Sequence, residues 1–573
     1  MNSMTCLLKR PEYETAYGEE AVVTSERAPC DRLMTSSLLW PRYPERTVRP
    51  EIKPELAGLP PLASAAAAWR RRLLLPLAFT GGLASLGIEF AAARLLAPFF
   101  GQSLFIWGTL IGLILIYLTI GYYAGGRLAD RRPDSRLLFQ LTAAAALLTA
   151  AIPIVSRPIL SVAQSGFAQV SVGLVLGSLI SVIVLFAAPV ILLGMVSPFV
   201  IRLRIRELET AGNAAGAVYA LSTLGSILGT FVPVFWLIPT YGTRPTIFVL
   251  AFLLGVISAA GLYEPGRRRL YLLVPVVIIA LALLSGGAIR AASYGTRVFE
   301  TESAYNYIQV VKSGTETQLL LDEGSAVHSI YDPTSLYTHG YWDDVLLAPY
   351  FGSGRVPGRV ALVGLAGGTV ARQFTAVDGP IPIDGVELDP KIVEVGRRYF
   401  HMTEPNLQVS VADGRYWMAT QAGRYDVILV DAYRQPYIPF YLTTREFFES
   451  ARAHLQPDGV LAINVGRTPT DNRLVDALSG TLNAVFPNVF TIETNQRFTN
   501  TVIYGTSAAA SVDQFVARAR AEANAKLQPI ITDALATGNI RRVPPNGIVF
   551  TDDLAPVERL IDDIILSYIR SSR

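Results

Sequence analysis

The chain has 573 residues, 17% of them charged, a mean hydropathy of +0.37 and a net charge of +3. That length exceeds a single domain of about 100–200 residues, and the composition argues against an ordinary water-soluble enzyme and against a nucleic-acid partner. Two cysteines (Cys6, Cys30) and four scattered histidines (His328, His339, His401, His454) have neither disulfide nor ligand spacing, so no metal site is expected.

Residues 1–66 are rich in Pro, Arg and Glu without a sustained period and read as a disordered tail. They lack the charged-then-apolar layout of a signal peptide. Seven long apolar runs follow: Leu73–Leu95, Leu104–Tyr123, Leu137–Ile154, Val172–Val200, Ala215–Ile238, Thr246–Leu262 and Leu270–Ile289. Most approach the ~20 residues that cross a ~30 Å hydrocarbon core. Backbone groups in lipid must pair internally, so residues 67–292 read as a multi-pass helical domain in a cell membrane, with the lipid bilayer as its partner. The fourth run contains Pro189 and Pro198 and reads as one kinked helix or as two pieces, giving seven or eight spans.

Arginine clusters at 70–72, 127–136, 202–206 and 267–269 alternate with arginine-poor loops, which puts the N-terminus in the cytoplasm. Seven spans then place the C-terminal half outside and eight place it inside, so the side of that half stays open. Glu89 and Arg94 lie within the first run, where ionisable groups are costly, and read as a mutual ion pair or a functional site. Gly125-Gly126-Arg127-Leu128-Ala129-Asp130-Arg131-Arg132 reads as a tight basic loop and resembles the inter-helix loop of major facilitator transporters.

From residue 293 short β-rich runs alternate with helical ones: a small β-domain over 293–340, then an α/β domain over 341–573. Arg359–Val363 reads as a buried strand, followed by Gly364-Leu365-Ala366-Gly367-Gly368 and a helix from Thr369. Strand, glycine loop and helix in that order make a nucleotide crevice. Ile383–Val386 is the next strand and ends at Glu387, placed to accept two ribose hydroxyls. Val409–Val411 leads to Asp413-Gly414, within reach of an adenine amino group, with a simple helix cap as the alternative for Asp413. Tyr425–Val430 ends in Asp431, and Thr443 with Glu446 has the spacing of a capping box. Pro457-Asp458-Gly459 turns the chain into the strand Val460–Val465. Carboxylates at the ends of successive parallel strands converge on one crevice.

The stretch Phe299–Gly466 resembles the spermidine synthase family, aminopropyltransferases with a Rossmann-like, class I methyltransferase-type fold. The resemblance lies in Glu302-Ser303-Ala304-Tyr305, Leu321-Asp322-Glu323-Gly324, Tyr341-Trp342-Asp343, the Gly364–Gly368 loop, Glu387, Asp413 and Asp431. Thr551-Asp552-Asp553-Leu554-Ala555-Pro556-Val557-Glu558 resembles a C-terminal segment of membrane-fused members, or is simply a helix cap. The resemblance implies aminopropyl transfer from decarboxylated S-adenosylmethionine to a diamine such as putrescine, without a metal. It implies Gly364, Ala366, Gly367, Gly368, Glu387, Asp413 and Gly414 around the donor. Asp431 would be the general base, with Tyr305 and Tyr341 lining an amine tunnel and a homodimer as the default assembly.

Two positions depart from the family pattern. Ala366 stands where the family carries an acid for the donor's amine, and Arg434 stands where the loop Asp431-Ala432-Tyr433-Arg434-Gln435-Pro436 would carry a second acid. With Tyr433 and Arg434 at the acceptor, a guanidinium there repels a diamine and suits an acidic or neutral molecule. Two alternatives therefore stand beside aminopropyl transfer. One is methyl or alkyl transfer from intact S-adenosylmethionine to another small-molecule acceptor. The other is a transporter-like membrane protein with a nucleotide-sensing domain.

Overall fold

The computed structural model describes residues 65–100, 104–167, 173–205, 207–263, 269–287, 289–322, 326–434, 436–494, 497–536 and 539–571. The N-terminal tail, both cysteines, Glu323-Gly324 and Gln435 lie outside the described residues.

The apolar half forms helices α1 (Ala65–Phe100), α2 (Leu104–Arg131), α3 (Ser135–Phe167), α4 (Gly173–Gly194), α5 (Val196–Arg204), α6 (Ala211–Val232), α7 (Ile238–Tyr241), α8 (Thr243–Leu262) and α9 (Leu273–Leu284). Among the described residues, six helical stretches are long and apolar enough to cross a membrane, and Leu270–Leu284 is a shorter apolar one. α4 and α5 form one interrupted stretch, Gly177–Arg204. Pro198 has no N–H to give the Gly194 carbonyl four residues back, and the helix breaks there at Met195. The seventh run is shorter than its composition suggests because Ser285-Gly286-Gly287 ends α9.

The expected basic loop at 125–132 is instead mostly helix, the last turns of α2. A Cβ on Gly121 would lie 2.3 Å from the Ile191 carbonyl oxygen and one on Gly125 2.6 Å from the Met195 Cα. Glycines four apart therefore let α2 lie backbone to backbone against α4 and α5. Asp130 closes that end with an ion pair to Arg202.

The two ends of the helix bundle differ. At the arginine-rich end, Trp69 and Arg70 donate to the carbonyls of Ala260 and Gly261, and Gln140 meets Tyr271. At the other end, Arg94 donates to the carbonyls of Ser303, Tyr305 and Asn306, and Arg290 to that of Pro98. There Glu302 accepts from Thr243, and Arg244 reaches the carbonyls of Gly287 and Ile289. α9 thus leads from the arginine-rich end to the end that meets the C-terminal half. The expected Glu89–Arg94 pair is replaced by these backbone contacts. Residues five apart on a helix point about 140° from each other, whereas neighbours are three or four apart.

Strands β1 (Thr296–Glu302), β2 (Tyr307–Ser313), β3 (Glu316–Leu321) and β4 (Val327–Tyr331) form an antiparallel sheet in sequence order. After helix α10 (Tyr341–Val345), an α/β unit follows with β5 (Val360–Val363), α11 (Thr369–Asp378), β6 (Ile383–Glu387), α12 (Pro390–Tyr399), β7 (Leu407–Val411), α13 (Gly414–Thr420), β8 (Tyr425–Val430), α14 (Arg445–Ala453), β9 (Leu455–Gly466) and α15 (Arg473–Asn483). β10 (Asn488–Thr494), β11 (Asn500–Thr506), α16 (Val512–Ala521), α17 (Gln528–Ala536), β12 (Ile540–Arg542) and α18 (Val557–Ser571) complete the chain. The larger sheet has eight strands in the order β12-β10-β11-β9-β8-β5-β6-β7. β7, β6, β5, β8 and β9 are parallel, and β11, β10 and β12 add antiparallel.

The central strand β5 is apolar without alternation because both its faces are covered: Val360, Ala361, Leu362 and Val363 are all buried, whereas β7 at the sheet edge alternates apolar and polar residues. Chain order reverses between β5 and β8, so a crevice opens at their carboxyl ends. Local details shift from the sequence reading. β9 starts at Leu455, so Pro457-Asp458-Gly459 lies within the strand. The cap of α14 is Thr444, which accepts from the Phe447 N–H, rather than Thr443.

Candidate active site

The crevice at the β5–β8 switch opens into a cavity of about 480 Å³. β5 delivers Gly364 in a left-handed conformation (φ 97°), and a Cβ there would lie 2.3 Å from the Asp431 carbonyl oxygen. Only glycine lets the two strand ends meet this closely. The Ala366 N–H donates to Glu387 Oε2 at 2.9 Å and the Asp389 N–H to Glu387 Oε1 at 3.1 Å. Glu387 therefore sits at the end of β6 with its carboxylate oriented by two main-chain donors. Burial pushes its pKa up to about 7 against the pull of those donors.

Asp431, at the end of β8, is held by two side chains. Tyr341 donates from its hydroxyl at 3.0 Å, and Asn464 of β9 donates from its amide at 2.9 Å. Asn500 of β11 donates to the Asn464 side-chain oxygen, which fixes the amide's orientation. Desolvation pushes the Asp431 pKa up to about 7, opposed by the hydrogen bonds from Asn464 and Tyr341 and assisted by the charge of Glu387. A carboxyl poised near neutrality, with both oxygens oriented, suits a general base.

Asp413 lines the same cavity and also caps α13, accepting from the Arg415 and Tyr416 N–H groups, while Tyr441 donates to its other oxygen. The helix-cap reading of Asp413 is thus seen directly, and its place on the cavity wall leaves the adenine-side reading open to proposal. Gly414 opens that helix against Val363 and borders the cavity, as do Gly364 and Ala366. Gly367 and Gly368 are not among the residues bordering it. The Gly367 N–H is taken by Ser329 Oγ, and Gly368 is the left-handed cap of α11. Tyr305 and Arg434 line this cavity, while Tyr341 lines a second one, of about 390 Å³. Tyr433 and His328 border both. The Tyr433 hydroxyl is engaged by main chain, donating to Asn464 O and accepting from the Gly466 N–H.

Sequence reasoning missed several contributors. Asn464 was legible as a polar residue inside the apolar run Val460–Val465. Asp389 is fully buried, caps α12 and accepts from Ser303 Oγ and Asn306 Nδ2, so it holds the 303–306 turn against the cavity. His328 has a buried, unpartnered Nε2 on the wall, and burial depresses its pKa to about 4, so the ring is neutral. Glu558 also lines the cavity, and its Oε2 is buried without a partner. Nothing local in the sequence signals that His328 meets the crevice, and for Glu558 the only signal is its place at the end of the Thr551–Glu558 segment.

Fold and site together define a Rossmann-like α/β domain with a buried carboxyl group, Asp431, at the strand switch. Residues 351–508 match the spermine/spermidine synthase domain family. A probable polyamine aminopropyl transferase of Bifidobacterium longum is 36% identical over 192 residues, 33% of this chain and 42% of that protein. A polyamine aminopropyltransferase of Vibrio vulnificus is 32% identical over 151 residues, 26% of this chain and 50% of that protein. The chain spans about half the length of these curated relatives. A crystal structure of a probable spermidine synthase from Corynebacterium glutamicum aligns with a TM-score of 0.35 and 19% identity, over 44% of this chain and 92% of that one. Residues 351–508 are thus similar to the spermine/spermidine synthase domain, and they follow helices long and apolar enough to cross a membrane.

Proposed function

We propose that the protein is a membrane-anchored aminopropyltransferase that moves the aminopropyl group of decarboxylated S-adenosylmethionine to an amine, with putrescine as the reference acceptor. The observation that carries this reading is Asp431, a buried carboxyl with a pKa of about 7, oriented by Tyr341 and Asn464 where two cavities adjoin. On this reading Glu387 accepts the ribose hydroxyls and Asp413 faces the adenine, and the glycine at 364 keeps the loop thin. Asp431 accepts a proton from the acceptor ammonium. The freed amine attacks the propyl carbon bonded to sulfur, the C–S bond breaks, and its electron pair stays on sulfur as neutral methylthioadenosine.

Four carboxyl side chains (Glu387, Asp413, Asp431, Glu558) and one guanidinium (Arg434) are the charged groups bordering the cavity among the described residues. That balance suits a cationic donor and a cationic acceptor, and it offsets Ala366 and Arg434. The test is product identity in detergent-purified protein. The expected result is methylthioadenosine from the decarboxylated donor, dependent on putrescine. Formation of S-adenosylhomocysteine from the intact donor instead would replace this reading with methyl transfer.

The reading of topology rests on the two ends of the bundle. Counting α9 as a seventh crossing puts the arginine clusters in the cytoplasm and the transferase domain on the opposite face. Transfer there requires the adenosyl donor on that face.

A further inference from the structure

We propose, building on the aminopropyltransferase reading, that Glu558 of α18 is the carboxylate that binds the acceptor's ammonium group, in place of the acid that Arg434 displaces from the loop after Asp431. Glu558 shares the cavity wall with Asp431, Tyr433 and Arg434, far along the chain from all three. Its Oε2 is buried and has no hydrogen-bond partner. A buried carboxylate oxygen left unpaired costs free energy unless a ligand supplies the donor, and an ammonium supplies three N–H groups and a full opposite charge.

The rest of α18 places this oxygen firmly. Val557 and Ile561 are buried against the α/β core. Asp562, one turn on, accepts from the Tyr437 hydroxyl at 2.6 Å. Just upstream, Asp552 is held by a two-pronged contact from Arg415 beside the Asp413 cap. α18 runs on past Glu558 to Ser571. Its next turns, Ile561 and Ile564, wall the second cavity beyond Tyr341 and Tyr433. Glu387, Asp431 and Glu558 all line the first cavity, where donor and acceptor must meet. On this assignment the acceptor's reacting nitrogen lies at Asp431 and its charge at Glu558.

The experiment uses the full chain in detergent, with putrescine as acceptor, comparing wild type, Glu558→Gln and Glu558→Asp. Glutamine keeps the size and removes the charge, so KM for putrescine should rise about tenfold to a hundredfold while donor affinity and melting temperature stay put. Aspartate should restore part of the loss. An unchanged KM, or a loss of donor affinity with the acceptor KM intact, overturns the assignment. If the wild type releases no methylthioadenosine, the proposed activity falls by itself. Calorimetric titration of putrescine into protein loaded with methylthioadenosine then still reads Glu558. Weaker binding by the glutamine variant supports the assignment; equal binding, or none to the wild type, overturns it.

Discussion

Asp431 sits between opposing influences: burial favours its neutral form, while Asn464 and Tyr341 favour its charged form. With a pKa of about 7, the acid limb of kcat/KM should bend near pH 7, because the base must be deprotonated to act. Asn464→Ala removes the larger of the two opposing hydrogen bonds, so the limb moves to higher pH and kcat/KM at pH 6 falls about tenfold. Tyr341→Phe should move it in the same direction and by less. A limb that stays in place in both variants would detach it from Asp431. The same burial has a sign for stability. The native state keeps protons on Asp431 and Glu387 up to about pH 7 that the unfolded chain releases near pH 4, so stability falls as pH rises between those values. Asp431→Asn should therefore lose less melting temperature than wild type between pH 5 and pH 8.

At the scale of elements, the strand ends carry the site, and they were largely legible. The bounds Tyr425–Val430 were legible, and Glu387 and Asp431 fell at strand ends, because the buried apolar residues just before them, Val386 and Val427–Val430, are followed by an acid. Caps were less legible: Thr443 and Thr444 both satisfy a capping pattern, and only packing chooses between them. The Gly125 segment misled because glycine signals a loop and a close helix contact alike. Gly364 is the element whose loss should be felt most. Gly364→Ala combines a left-handed backbone with a Cβ in the space of the Asp431 carbonyl. It should cost about 1–3 kcal/mol of stability in denaturant titration and displace the base, lowering turnover with it. A variant with wild-type melting and turnover would contradict that packing.

At the scale of the whole molecule, the unexpected feature is how a long apolar helix holds the turn beside the cavity. Arg94 near the end of α1 grips the carbonyls of Ser303, Tyr305 and Asn306, and the same turn is held from the other side by Asp389. Residues 94, 303 and 389 are too far apart in the chain for any local pattern to link them, which is why the sequence suggested a Glu89 pair. The arginine asymmetry itself was legible, and the two ends of the bundle give it a consequence. A single cysteine at Val356, which is 63% exposed on the α/β domain, in a chain with Cys6 and Cys30 replaced by serine, should react with a membrane-impermeant maleimide in intact cells. Protection until the cells are broken would put the domain in the cytoplasm and remove α9 from the count of crossings.

The most direct test of the account is the rate of methylthioadenosine release by wild type and Asp431→Asn, with donor affinity measured by calorimetry on the same preparations. The account predicts putrescine-dependent release by the wild type, a loss of about 10²–10⁴-fold in the variant and nearly equal donor affinities. Comparable release by the two proteins would contradict Asp431 as the base, and the aminopropyltransferase site built around it would fall with that role.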